Sequence, residues 1–510
     1  MTENISYKKL ANPNTALPRH SMECENYPLL LNDLYEISMA YGYWKNQMHE
    51  REAVFHLVFR KNPFQGSYSV ACGLGDAIDY LQHLRLNDQE YSYLAGLTGR
   101  DKRPLFEKEF LTYLQQMRFS CDVEAVPEGT VVFPHEPILR VRGPLLQAQL
   151  VEPVLLNLID FQTLIATKAS RIRTAAADDP VIEFGLRRAQ GINGAMSASR
   201  AAYIGGCTGT SNVLAGMRYG LPVFGTHAHS WIMAFDDEKK SFEAYARAQP
   251  NNCIFLVDTY DTLTGVRNAV AIAKKLRQWG HQALGIRLDS GDLAYLSIEA
   301  RKILDEAGFP EMTIVATNEL DEHIITSLKN EGARVDTWGV GTKLVTGYDQ
   351  PVLGGVYKLS ALKEKDGRWS PRLKLSEQLL KISTPGILQV RRFQLDGQFI
   401  GDMIYDELSS HRDDSVLRHP MDITQSKRIP SAATAENLLV PVFQRGKKIY
   451  PDISHQEIRQ HAVTQLTQFH PGIKRLVNPH EYPVGLESCL HQMKTDLILK
   501  LRERVTRTSQ

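Results

Sequence analysis

The stretch Gly285-Ile-Arg-Leu-Asp-Ser-Gly-Asp292 decides the fold. Ala283-Leu284-Gly285-Ile286 reads as a buried strand. After it, Leu293, Leu296, Ala300, Ile303, Leu304 and Ala307 recur at helical spacing until Gly308 and Pro310 stop the helix. Arg287, Asp289, Ser290 and Asp292 therefore crowd a strand-to-helix turn, where open α/β sheets and barrels place their active sites. A cation, carboxylates and helix-start amides at one turn suit a polar, phosphorylated substrate.

The same rhythm extends in both directions. A long helix is expected from about Leu146 to Ala176. Short apolar runs follow at Val181–Phe184, Tyr203–Thr208, Leu221–Phe224, Cys253–Val257, Ala283–Leu288, Met312–Ala316, Val335–Val340 and Val352–Leu359, most of them followed by a helix-length connection. Eight such strands predict an irregular α/β barrel over residues 151–360. Residues 1–150, opening on a loose arm over 1–25, alternate helical patterns with β-like runs and read as an α+β domain. Residues 361–510 read as hairpins turning at Asp366-Gly367 and Asp396-Gly397, a linker at Ser431–Glu436, and an amphipathic helix near Leu486–Arg504. This C-terminal extension is expected to pack back on the N-terminal domain.

Bulk properties narrow the function classes. A chain of 510 residues can bury a core without metal or disulfide staples. The net charge of +1 gives no bulk attraction to nucleic acid or anionic membrane. The six cysteines (24, 72, 121, 207, 253 and 489) include no C-x-x-C pair, as in a reducing cytoplasm. No signal peptide is visible, and no apolar run reads as long enough to span a bilayer.

If the barrel holds, chemistry sits after each strand. The residues there are Glu183-Phe-Gly-Leu-Arg-Arg188, Thr208-Gly-Thr-Ser-Asn212, Gly225-Thr-His-Ala-His-Ser230, Asp258-Thr-Tyr-Asp261, the Arg287 turn, Thr317-Asn-Glu319 and Gly339-Val-Gly-Thr-Lys343. Each has a plain structural alternative. Adjacent arginines are usually a solvated face. Asp258 and Asp289 could be helix caps. Gly339-Val-Gly-Thr could be only a tight turn, although glycine amides there can cradle phosphate. His227 and His229 lack a third ligand for zinc. Seven polar strand ends on one rim nevertheless exceed what stability needs. Arg187, Arg188 and Arg287 can pair with phosphate or carboxylate. Asp289 and Asp292 can hold Mg²⁺ or ribose hydroxyls. His229 can serve as nucleophile or base.

These segments, with Asn32-Asp-Leu-Tyr35 before them and Gly341-Thr-Lys-Leu-Val-Thr346 and Pro351-Val-Leu-Gly-Gly-Val-Tyr-Lys358 after, resemble nicotinate phosphoribosyltransferase in order over roughly residues 28–360. The resemblance implies a type II phosphoribosyltransferase, with an α+β N-terminal domain and an irregular α/β barrel. It implies a homodimer with shared active sites. The implied reaction joins nicotinate to 5-phosphoribosyl 1-diphosphate (PRPP), coupled to ATP hydrolysis with Mg²⁺, in cytoplasmic NAD salvage. His229 would carry the transient phosphoryl group. Thr226 would contact nicotinate, and Tyr35 of the partner subunit would stack on its ring. Arg287 would meet the nicotinate carboxylate, and Asp289 ribose or Mg²⁺. Gly339, Gly341 and Thr342 would cradle the 5-phosphate, and Arg187 or Arg188 the diphosphate. His227 could compete with His229 for its role.

Nicotinamide phosphoribosyltransferase is the nearest rival. That family carries an acidic residue where this chain has Ser211; a carboxylate accepts from an amide but repels nicotinate, so Ser211 favours the acid. A quinolinate enzyme would call for a denser basic cluster. A barrel hydrolase pairing Asp289 with Glu183 leaves the arginines unexplained. A non-catalytic nucleotide-binding protein would not need His229, Arg287 and Asp289 together.

Overall fold

The computed structural model describes residues 29–508 except 379–380, 410–414, 421 and 423. The expected arm over 1–25 lies outside the described residues. Contacts divide the chain into two units, one holding residues 168–351 and the other 20–167 with 352–510. The sequence reading cut the chain at 150 and 360 instead. The helix Glu152–Ala176 carries the chain from one unit into the other.

The first unit is built on a six-stranded parallel sheet. Its spatial order is Gly209–Thr210, Val181–Glu183, Thr337–Val340, Thr313–Ala316, Gly285–Leu288, Ile254–Leu256. Val223 joins it through a single parallel bridge to Thr210. Helices Gly191–Ile204, Thr262–Gln278, Leu293–Glu306 and Glu322–Asn330 follow successive strands, so this is an α/β sheet of the barrel kind. The strands are hydrophobic because both faces are covered: Ile286, Leu288, Ile314, Trp338 and Val340 are all at 0 % exposure.

Two of the eight expected strands are corrected. Tyr203 and Ile204 end a helix, and the chain turns at Gly206 (φ 117°) before pairing at Gly209. A short apolar run does not distinguish a buried helix end from a strand. Val352–Leu359 contributes no barrel strand either. Gly355–Lys363 pairs antiparallel with Glu52–Phe59, some 300 residues earlier, with Tyr357 stacked on Phe55 at 5.0 Å. The Leu145–Ala176 stretch also departs from the sequence reading. It is long and apolar enough to cross a membrane (mean hydropathy 1.3), but 67 % of that window is buried, so its apolar surface is spent on the core.

The second unit holds a seven-stranded antiparallel sheet centred on Glu52–Phe59 and Leu139–Pro144, and a six-stranded sheet centred on Gln398–Asp406 and Val484–Leu486. Residues from the C-terminal part enter the first sheet directly, where Val440–Gln444 pairs with Asp122–Ala125. Both Asp-Gly hairpins form, joining Gly355–Lys363 to Trp369–Pro371 and Leu388–Leu395 to Gln398–Asp406. The Ser431–Glu436 linker is partly strand: Thr434–Asn437 pairs with Leu388–Leu395. The expected terminal helix runs from Ser488 to Thr508.

A fully buried ion pair pins this unit. Arg392 bonds Asp402 at 2.6 Å with both side chains at 0 % exposure, and its guanidinium lies 5.0 Å from the Phe399 ring and 5.3 Å from that of Phe469. Tyr482 donates to Asp402 at 2.9 Å. Arg392→Ala strands a buried carboxylate, so unfolding in denaturant should show a loss of about 3–5 kcal/mol. A loss below about 1 kcal/mol would mean that Asp402 finds water or another donor.

Candidate active site

The polar rim of the parallel sheet converges on Arg287. This residue is the next to last of the strand Gly285–Leu288, whose backbone is locked between neighbours on both sides. Its three guanidinium nitrogens have three partners. Nε donates to Thr317 Oγ1 (3.0 Å), Nη1 to Thr226 Oγ1 (3.1 Å) and Nη2 to Asp289 Oδ1 (3.1 Å). One guanidinium thus ties together the ends of three segments, and the Phe184 ring lies 6.0 Å away.

Asp289 is held from the other side. Thr317 donates its hydroxyl to Asp289 Oδ1, and the Asp289 amide donates to Asp258 Oδ2 at 2.9 Å. Burial would raise the Asp289 carboxyl, but the Thr317 hydroxyl, the Arg287 charge and nearby His229 outweigh it and hold it below the usual carboxylate range. His229 Nε2 stands 3.6 Å from Asp289 Oδ2, and its Nδ1 pairs with Thr259 Oγ1 at 3.1 Å. The ring is held at Nδ1, faces Asp289 with Nε2 and remains partly open to solvent.

The neighbouring histidine is a different object. His227 is 7 % exposed, its Nε2 accepts from the Leu256 amide at 3.3 Å, and it packs edge-on against Tyr245 at 4.7 Å. Burial pushes it down to about 4, so it stays neutral at physiological pH. Of the two imidazoles, only His229 reaches the Arg287–Asp289 pair.

An open cleft of about 600 Å³ adjoins this cluster. Its wall brings Arg187, Ser211 and Thr226 together with the rings of Phe184, Phe224 and Tyr245. Arg187 and Arg188 share the 3₁₀ turn Leu186–Arg188, but only Arg187 lines the cleft. The turn is anchored by Glu183. This carboxylate is fully buried and accepts from Ser199 (2.9 Å), Thr210 (2.5 Å) and the Gly185 amide, while burial raises its pKa. With its oxygens so occupied, Glu183 is a structural anchor and no partner for Asp289 in acid–base work.

The carboxylates on the rim divide by task. Asp292 is the cap of the helix Leu293–Glu306; one oxygen accepts from the Ala294 and Tyr295 amides, both at 3.1 Å. Asp258 and Asp289 cap nothing. The cap of the helix after Asp258 is Asp261, and Asp258 instead braces the Arg287 turn through the Asp289 amide and the Ser290 hydroxyl (2.6 Å). Its Oδ1 is a buried acceptor with no hydrogen-bond partner among the described residues. The bracing roles of Asp258, Thr259 and Thr317 were not assigned from sequence; the one signal for them is their position immediately after a strand.

Gly339 lies inside the strand Thr337–Val340. A Cβ there would come 2.6 Å from Thr317 Cγ2 and 2.8 Å from the Phe184 ring, so this position must be glycine for packing. Gly341 and Thr342 follow at the strand's end, where the chain turns into the short helix Thr342–Val345. Tyr35 belongs to the other unit. It sits on the helix Leu34–Lys45 with 53 % of its surface exposed. Among the described residues no group of three or more His, Cys, Asp or Glu is arranged to hold a metal.

Known proteins resemble this chain over most of its length. The model for the N-terminal domain of nicotinate phosphoribosyltransferase matches residues 30–160, the nicotinate phosphoribosyltransferase family model 180–369, and the C-terminal domain model 389–494. Nicotinate phosphoribosyltransferase of Bacillus subtilis (strain 168) is 43 % identical over 483 residues, spanning 93 % of this chain and 96 % of its own. The Homo sapiens protein of that name is 34 % identical over 526 residues, spanning 92 % and 96 %. The crystal structure of human nicotinic acid phosphoribosyltransferase superposes with a TM-score of 0.78 at 32 % identity, over 91 % of this chain and 99 % of that one. Nicotinate-nucleotide pyrophosphorylase from Pyrococcus furiosus shares the fold, with a TM-score of 0.65 at 22 % identity over 88 % and 96 % of the two chains.

Fold and family matches together define a type II phosphoribosyltransferase, an enzyme built on a parallel α/β sheet. Within that class, the chain belongs to the nicotinate phosphoribosyltransferase family.

Proposed function

We propose that this enzyme joins nicotinate to PRPP, releasing nicotinate mononucleotide and diphosphate in NAD salvage. The observation that carries the reading is the three-way bonding of Arg287 to Thr226, Thr317 and Asp289 beside a cleft holding Arg187 and Ser211. Displacement at the anomeric carbon passes through an oxocarbenium-like state. It needs fixed negative charge near the ribose and fixed positive charge at the departing diphosphate. Asp289, kept ionised, supplies the first; Arg187, with Arg188 beside it on the same turn, supplies the second. Thr226 and Arg287 orient the nicotinate carboxylate, and Gly341 and Thr342, extending from Gly339, receive the 5-phosphate. Tyr35 reaches the pyridine ring from the partner subunit of a homodimer.

ATP enters as a co-substrate whose phosphoryl group passes to His229. The 3.6 Å approach of Nε2 to Asp289 places that nitrogen where added negative charge would be felt by the ribose-binding carboxylate. Mg²⁺, when bound, screens the phosphate charges of PRPP. Two carboxylates and substrate oxygens suffice for this ion. Asp289 and the unsatisfied Oδ1 of Asp258 fit it, while Asp292 has one oxygen already engaged as a cap. The buried cysteines at 72, 121, 207 and 253, scattered without a C-x-x-C pair, accord with a cytoplasmic location.

Nicotinamide is not the favoured substrate. Ser211 faces the cleft without charge, so it accepts a carboxylate that an acidic side chain would repel. Ser211→Asp should therefore weaken nicotinate by about 1–4 kcal/mol, the repulsion of two charges roughly 4 Å apart between the water and protein-surface limits. Parallel assays with nicotinate and nicotinamide read the change in preference; an unchanged ratio would remove Ser211 from the selectivity argument. The first test of the whole reading is turnover with PRPP, Mg²⁺ and ATP. Mononucleotide from nicotinate with ADP released in step is expected, and product from nicotinamide alone would overturn it.

A further inference from the structure

The two carboxylate oxygens of Glu183 hold two different parts of the rim. Glu183 ends the strand Val181–Glu183 and pairs there with Thr210 of the neighbouring strand. Its Oε1 accepts from the Gly185 amide at the start of the turn Leu186–Arg188. The Arg188 amide closes this turn by donating to the Gly185 carbonyl at 2.8 Å. Its Oε2 accepts from the hydroxyls of Thr210 (2.5 Å) and of Ser199 on the helix Gly191–Ile204 (2.9 Å). The backbone adds a further tie, since the Glu183 carbonyl accepts from the Ser211 amide at 2.9 Å. Oε1 thus serves the turn of Arg187, and Oε2 the turn of Ser211.

The Oε2 side continues into Asn212. A hydroxyl can donate once and accept at the same time. The Asn212 backbone amide donates to Thr210 Oγ1 (2.9 Å), and its side-chain Nδ2 donates to Ser199 Oγ (3.3 Å). The amide orientation is set by the other atom of the group, because Asn212 Oδ1 accepts from the Ala215 amide (3.2 Å) as the cap of the helix Val213–Tyr219. Two bridges therefore run from Asn212 through a hydroxyl to one oxygen of Glu183. The Ser199 hydroxyl has a second acceptor in the Ala195 carbonyl at 3.0 Å, so the Thr210 bridge is the firmer of the two. Ser211 stands between Thr210 and Asn212 and is held from both sides. Glu183, Ser199, Thr210 and Asn212 are all buried. In a dry interior such chains of hydrogen bonds polarise one another, and a carboxylate that weakens one donor leans on the rest.

We propose that Glu183 is a positioning residue that couples two subsites, so that diphosphate drawn onto the Arg187 turn strengthens nicotinate binding at the Ser211 turn. The inference rests on the assignment, made above, of diphosphate to Arg187 and of nicotinate to the wall that holds Ser211. An anion that pulls the arginine turn toward the cleft draws the Gly185 amide away from Oε1. The carboxylate then bonds Thr210 and Ser199 more strongly through Oε2, and the backbone from Thr210 to Asn212 is held more firmly. A firmer turn loses less freedom when nicotinate arrives, which raises affinity. The two anions also repel each other directly, but that repulsion does not pass through Glu183 and is the same in the variants below.

The test is a calorimetric titration of the full-length protein with nicotinate, with and without inorganic diphosphate and Mg²⁺, a pair of ligands that cannot react with each other. Wild type should bind nicotinate about five-fold or more tightly with diphosphate present, and the reciprocal titration of diphosphate should show the same factor. Thr210→Val removes the bridging hydroxyl and leaves the Gly185 contact in place, whereas Thr210→Ser keeps the hydroxyl. The factor should fall to one or below in Thr210→Val and persist in Thr210→Ser. Glu183→Gln should lose it too, since an amide has one accepting oxygen and cannot serve both turns. A plain structural anchor would lower stability or both affinities in these variants and leave the factor unmoved. A wild-type factor of one or below, no nicotinate binding in either state, retention of the factor in Thr210→Val or Glu183→Gln, or its loss in Thr210→Ser overturns the proposal. Turnover of nicotinate with PRPP by the same wild-type preparation would then show that the reading of the reaction stands, while absence of that turnover would overturn the reading and this inference together.

Discussion

Arg287→Ala should lower kcat/KM for nicotinate by about 10²–10³-fold, the usual loss for one positioned charge-stabilising donor. The effect is large because the side chain acts at three places. It orients Thr226, bonds Thr317 and counters the charge of Asp289. The same variant should change the pH profile. In the intact site the Asp289 carboxyl titrates below its ordinary value, so its favourable interactions are present above the ordinary carboxylate range. They are lost only as pH falls through the depressed value. Removing Arg287 deletes one set of lowering interactions and leaves the burial that opposes them. The acid limb of kcat/KM should then move to higher pH. Arg287→Lys should recover little, since a single ammonium does not reproduce a planar three-nitrogen fork. A full-rate Arg287→Ala enzyme with an unmoved acid limb would remove this residue from the centre of the mechanism.

His229→Ala should abolish ATP-stimulated turnover and the incorporation of phosphate from labelled ATP, leaving whatever rate PRPP and nicotinate support alone. His227→Ala should retain both and lose stability instead. The buried His227 ring accepts the Leu256 amide and packs on Tyr245, so truncation leaves an unmatched amide and a void worth about 1–3 kcal/mol. Phosphate incorporation and a denaturant melt on the two variants separate the cases. Loss of incorporation in His227→Ala with retention in His229→Ala would reverse the assignment. The distinction rests on geometry, because the two residues are one apart from adjacent and chemically identical. The His227 ring lies in the core, while His229 opens the short helix His229–Met233 with its ring near Asp289.

Much of this molecule is local and therefore legible in the chain. The run from Gly285 to Asp292 specifies strand, turn and helix by itself, because an apolar run, a glycine-containing turn and a 3.6-residue repeat succeed one another without interruption. The two Asp-Gly hairpins are equally local. Polar residues after each strand mark the rim, which is why Arg187, Ser211, Thr226, His229, Arg287 and Asp289 could be named before any coordinates. What failed was long-range. Val352–Leu359 has the look of one more barrel strand, but its partner is Glu52–Phe59, and no pattern within either segment names the other. Tyr203–Thr208 is apolar enough for a strand, but Gly206 lets the helix end there.

The sequence by itself determined the class of fold and the polar rim at the strand ends, since these follow from short-range periodicity and from residue types after each strand; the family followed from the resemblance of its motifs in order. Only the tertiary structure decided which members of the rim meet. It separated Asp292, spent on a helix cap, from Asp258 and Asp289, which brace one another across two strands. It also placed Arg187 on the cleft wall and His227 in the core. The physical reason is that hydrogen bonds and burial are made between segments tens to hundreds of residues apart. Their partners are fixed by packing and not by the local chain.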